Sequence, residues 1–106
     1  MSIEQVSVNT LAQWLARDEA VVIDVREGHE FEASCIKDAT LLPLSTFPCQ
    51  CPDWPEGKKV VVQCKSGRRS LTACQFFSSQ FPELTFYNLE GGILAWQAEG
   101  HEVVAG

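Results

Sequence analysis

Lys59-Val60-Val61-Val62-Gln63-Cys64-Lys65-Ser66-Gly67-Arg68-Arg69-Ser70-Leu71-Thr72-Ala73-Cys74-Gln75-Phe76-Phe77 is the stretch on which the fold turns. It opens with three consecutive valines, β-branched residues that suit a pleated sheet. A continuous apolar run of this kind marks a strand buried on both faces, as in a parallel sheet. From Ser70 onward the period changes, and Leu71, Cys74 and Phe77 fall at the spacing of one helical face. Between the two lies a tight turn from Cys64 to Arg69. A nucleophile placed directly after a buried strand sits at the carboxyl edge of the sheet, where open α/β folds hold their ligands.

The flanking sequence repeats the alternation. Val21-Val22-Ile23-Asp24-Val25 reads as a second doubly buried strand, Thr40-Leu41-Leu42 as a short one ended by Pro43, and Thr85-Phe86-Tyr87-Asn88-Leu89 as a fourth. Helices are expected where Leu11, Trp14 and Leu15 recur behind a cap at Ser7 or Asn9, for a turn or two over 30–34, and over 93–99. Gly91-Gly92 is the turn before the last helix. Residues 47–57 carry Pro48, Pro52 and Pro55 and read as a loop. The expectation is an α/β domain over 1–106, a single unit. Its central, mostly parallel sheet has about four to five strands flanked by helices on both faces.

Bulk properties narrow the function. With 106 residues and a net charge of -6, the chain lacks the net basic character of nucleic-acid or anionic-membrane binders. No apolar run approaches the roughly 18 residues of a membrane span, and Met1-Ser2-Ile3-Glu4 has no basic leader. A cytoplasmic protein is expected, with a monomer as the default for this size. Five cysteines, an odd number without a secretion signal, point to thiols kept reduced for chemistry or packing.

Cys64 is the candidate nucleophile. A free thiol with a pKa of about 8.5 is only a few per cent ionised at neutral pH, so reactivity needs help from its surroundings. Three kinds of help are expected. Loop amides and the first turn of the following helix form an anion nest. Gly67 permits the backbone angle the loop needs. Lys65, Arg68 and Arg69 add positive charge. The competing reading, a packed strand-end cysteine beside ordinary surface cations, explains neither the glycine nor the clustering.

Three segments in order resemble the rhodanese homology family. They are Val22-Ile23-Asp24-Val25-Arg26-Glu27 with Glu30-Phe31, the loop Cys64 to Ser70, and Leu89-Glu90-Gly91-Gly92-Ile93-Leu94-Ala95-Trp96. The resemblance implies a sulfurtransferase without cofactor, in which Cys64 takes sulfane sulfur from an anionic donor such as thiosulfate. The sulfur is held as a persulfide and passed to cyanide, a small thiol or a protein thiol. It also implies that Lys65, Ser66, Gly67, Arg68, Arg69 and Ser70 bind the donor. Asp24 and Arg26 are assigned to structure, as a strand-end ion pair or hydrogen-bond set, and Gly91, Gly92 and Trp96 are read as turn and packing residues. The chain departs from the family at Ser34, Cys35 and Asp38, where Gly, His and Gly are usual.

Two rivals are weighed. Docking modules of this family lack the cysteine, which is present here. Cysteine phosphatases and arsenate reductases place five residues between Cys and Arg, whereas four separate Cys64 from Arg69. The shorter loop suits sulfur better than phosphate. Among the other cysteines, Cys74 reads as core and Cys35 as partly exposed. Cys49 and Cys51 form a Cys-x-Cys that could relay sulfur or close as a regulatory disulfide, against the plainer reading of a passive loop pair. No metal site is expected, since four ligands are usual and His29 and His101 lie far off in sequence. Both histidines read as solvated surface residues.

Overall fold

The computed structural model describes residues 2–48 and 51–106. Among these residues five strands form one parallel sheet: β1 (Ser2–Val6), β2 (Ala20–Asp24), β3 (Thr40–Leu41), β4 (Lys59–Gln63) and β5 (Thr85–Leu89). Their spatial order is β1-β5-β4-β2-β3, so the valine strand β4 lies at the centre. Among the described residues three helices link successive strands, α1 (Val8–Ala16), α2 (Gly28–Ala33) and α3 (Arg68–Gln80), and a fourth, α4 (Gly92–Ala98), follows β5. A 3-10 turn spans Leu44–Thr46.

Alternation of side chains along the strands divides the core in two. Val22 and Val61 point to the face covered by α1 and α4, where they meet Leu11, Ile93 and Trp96. Val60 and Val62 point to the other face and pack on Ala73, Cys74 and Phe77 of α3. A strand apolar on both faces is thus covered by helices on both faces, as the valine run demands.

The strand β1 went unread because Ser2, Glu4 and Gln5 are exposed and only Val6 is buried; it is a polar edge strand with no apolar run. It nonetheless pairs in full register with β5, from Ser2–Thr85 to Val6–Leu89. The periodicity of α3 also needs correction. Leu71 is 37% exposed, and the buried face consists of Ser70, Ala73, Cys74, Phe77 and Ser78. The segment read only as a loop folds back over α3. Phe47 stacks on Phe76 and Phe77, and Trp54 meets Phe77, Phe81 and Phe86 at centroid distances of 5.1–5.6 Å.

Candidate active site

Cys64 follows the last residue of β4 and is 1% exposed. Beyond it the chain reverses through Gly67 at φ +101°, which also caps α3. The helix begins at Arg68, so Arg68, Arg69 and Ser70 stand in its first turn rather than in the loop. This geometry turns donors toward the sulfur. The Gly67 amide donates to Cys64 Sγ at 3.1 Å, and the Ser70 hydroxyl oxygen lies 3.3 Å from it.

Burial is the largest single influence on the Cys64 thiol and opposes its ionisation. The Ser70 hydroxyl and the backbone amides of Ser70, Gly67 and Ser66 together outweigh burial and hold the thiol below its ordinary value. The main stabilisers are therefore aligned amides and one hydroxyl, while Arg69 also feels the Cys64 charge. Arg69 is turned aside, with two hydrogen bonds of 2.8 and 3.0 Å to Glu30. That pairing, more than any other influence, holds the Glu30 carboxyl down at about 2. Lys65 and Arg68 are exposed beside the loop.

The loop is seated from below by residues to which the sequence reading gave no role at the site. Ile93 N and Leu94 N, in the first turn of α4, donate to the carbonyls of Cys64 and Lys65 at 2.9 and 3.1 Å. Gln63 Nε2 adds a second bond to the Cys64 carbonyl, at 3.0 Å. Gly92 holds φ +59°, and a Cβ there would overlap both loop carbonyl oxygens. Gly92 is therefore more than a turn residue. Asn88 of β5 is buried and bonds to Ser70, Gly67 and Gln5. A Gly-Gly directly before a helix was the available signal for the first contact. Nothing local marks Asn88, whose partners are 83, 21 and 18 residues away.

Asp24 and Arg26 form a buried ion pair at the end of β2, with Arg26 Nη2 2.8 Å from Asp24 Oδ2. The same nitrogen donates to the Ser34 carbonyl at 2.7 Å, tying the strand end to the turn after α2. In that turn Asp38 takes φ +65°, the left-handed conformation that a glycine would hold freely and that Asp tolerates better than most residues.

Cys35 corrects its expected exposure: it is 3% exposed and its backbone pairs with Val104. Burial is the largest influence raising its thiol. Cys74 lies in the core, and burial first, then the nearby Cys64, pushes it up to about 12. Cys51 is half-buried against the α3 face, while Cys49 lies outside the described residues. His29 is exposed, but His101 is half-buried, stacked 4.5 Å from Trp96 and bonded to Asn9 at 2.7 Å. A groove of about 670 Å³ lies on the α1–α4 face, lined in part by Leu15, Ile36 and Trp96; Cys64 is not among its lining residues.

Comparison with known proteins adds an independent line. Residues 7–99 match the Rhodanese-like domain family. A protein of Allochromatium vinosum named sulfurtransferase is 35% identical over 104 residues, covering 97% of this chain and 96% of that one. Among solved structures, a rhodanese-related protein of Thermoplasma volcanium superposes with a TM-score of 0.84. It is 30% identical, over 95% of this chain and 97% of its own. A rhodanese-like domain protein of Staphylococcus aureus shares the fold, with a TM-score of 0.80 at 24% identity, covering 96% and 99% of the two chains.

Proposed function

This chain belongs to the rhodanese-like domain family, and from that membership we propose that it moves sulfane sulfur through a persulfide on Cys64. Sulfur transfer as a class is supported by the family and by the sulfurtransferase of Allochromatium vinosum. The observation that supports Cys64 as the carrier is its thiol, ringed by the Ser70 hydroxyl and the amides of Ser66, Gly67 and Ser70.

The chemistry balances without a cofactor. The Cys64 thiolate attacks the outer sulfur of thiosulfate, a sulfur–sulfur bond forms, and sulfite leaves with the electron pair of the bond that breaks. The persulfide carries its negative charge on the outer sulfur, within reach of the same amide dipoles. An acceptor thiolate or cyanide then takes that sulfur and returns Cys64 as thiolate. Lys65 and Arg68, exposed beside the loop, attract the dianionic donor in an otherwise acidic protein.

Intact mass spectrometry tests this reading. Wild type and Cys64→Ser are incubated with thiosulfate and then with cyanide. One added sulfur in wild type alone, removed by cyanide, is the expected result. A Cys64→Ser protein that loads equally refutes the assignment, and so does a wild type that loads from neither thiosulfate nor a low-molecular-weight persulfide.

A further inference from the structure

We propose that Asn88 is a positioning residue for Cys64: its carboxamide, held in one orientation by the Gly67 carbonyl, competes with the Cys64 thiolate for the single hydroxyl hydrogen of Ser70. The inference rests on the reading of Cys64 as the nucleophile.

Asn88 Nδ2 donates to the Gly67 carbonyl at 3.2 Å and to Gln5 Oε1 at 3.1 Å. A backbone carbonyl can only accept, so the edge of the amide that faces Gly67 must be the N–H edge. Turning the amide over would set two oxygens against each other. Oδ1 therefore faces Ser70, and it too can only accept. The Ser70 hydroxyl donates to it. Yet the same hydroxyl oxygen lies 3.3 Å from Cys64 Sγ.

While Cys64 is a thiol, the chain is consistent, with Sγ–H donating to Oγ and Oγ–H donating to Oδ1. When the thiol proton leaves to solvent, Sγ becomes an acceptor. Ser70 has one hydrogen, and it can serve Sγ or Oδ1 but not both. Ionisation thus forfeits one buried hydrogen bond, while the Gly67 amide stays on the sulfur. The hydroxyl rotates about its Cβ–Oγ bond, giving up its hydrogen bond to Asn88 while no covalent bond of Ser70 is broken. When charge moves from Sγ to the outer sulfur of a persulfide, the hydrogen is released to return to Asn88.

The charged groups around Cys64 come from other positions. Lys65 and Arg68 flank the loop, Arg69 is paired with Glu30 of α2, and Asp24 is paired with Arg26 at the end of β2. Cys74 of α3 also senses the Cys64 charge. The hydrogen-bond partners of Asn88 itself are all neutral; two of them, Ser70 and Gly67, also bond to the sulfur, and the Ser70→Ala background separates the two routes.

The test reads ionisation without any sulfur donor, as the pH dependence of iodoacetamide alkylation resolved at Cys64 by peptide mass spectrometry. Asn88→Leu frees the Ser70 hydrogen for sulfur and is expected to give about tenfold more thiolate below the midpoint. In a Ser70→Ala background the same substitution is expected to change nothing. Should Asn88→Leu fail to fold, Asn88→Val, β-branched and suited to an interior strand, carries the same expectation. A fall in thiolate on removing Asn88, or an equal rise with and without Ser70, overturns the proposal. Because no sulfur donor is involved, a wild type that never loads sulfur refutes the proposed function and leaves these alkylation results readable.

Discussion

At the scale of single residues, two buried or half-buried acids are pulled the same way by different means. Cys64 is held down by neutral dipoles against the cost of burial, and Glu30 by the Arg69 guanidinium. The second case has a definite sign. Glu30 is lowered from 4.5 to about 2 in the folded chain, so the folded state binds this proton less readily than the unfolded one. Its stabilising contribution is complete above the unfolded value and is lost as pH falls through the folded one. Both side chains are partly in water, so screening limits the pair to about 1 kcal/mol. Glu30→Gln is expected to lose about that much in urea unfolding at pH 7, with the gap to wild type closing as pH falls from 5 toward 2. A gap that stays constant in acid would place the loss in packing instead of charge.

Among the elements, β4, the loop and α3 were readable because their signals are local: a β-branched run, a change of period, and one glycine between them. The seating of that loop by α4 was not, because it depends on which backbone atoms of a distant turn arrive beneath Cys64. Gly92 carries that contact. Gly92→Ala would drive a methyl group into the Cys64 and Lys65 carbonyls and so displace the loop. Misplacing a reacting atom by about 1 Å costs on the order of a hundredfold in rate. Cyanide-acceptor assays should therefore show a loss of about that size for Gly92→Ala, while Gly100→Ala, equally strained at φ +81° but with its Cβ in open space, leaves the rate within about twofold. Equal losses in the two variants would argue that the Gly92 contact is not what holds the loop.

Over the whole molecule, the two faces of the sheet are closed differently. Helices α1 and α4 cover one, and α3 covers the other together with the proline-rich segment, whose Trp54 meets three phenylalanines. Trp54→Ala is expected to cost about 3 kcal/mol in denaturant unfolding, at the low end for a core aromatic because Trp54 is only half-buried. A loss below about 1 kcal/mol would mean that the segment merely lies on the surface. Prolines and polar neighbours concealed this segment's packing, since they report the absence of regular structure and not the absence of a core role. Among the described residues no helix is long and apolar enough to cross a membrane.

By itself, the sequence determined the α/β class, the buried central strand, the strand-to-helix turn at Cys64 and the rhodanese-like family, because each is written in short runs of neighbouring residues. Only the tertiary structure decided which groups surround the sulfur. It turned Arg69 to Glu30, buried Cys35, paired β1 with β5, and aligned Ser70 with Asn88. Side-chain partners separated by dozens of residues meet only when strands pair in register, and no local pattern encodes that meeting.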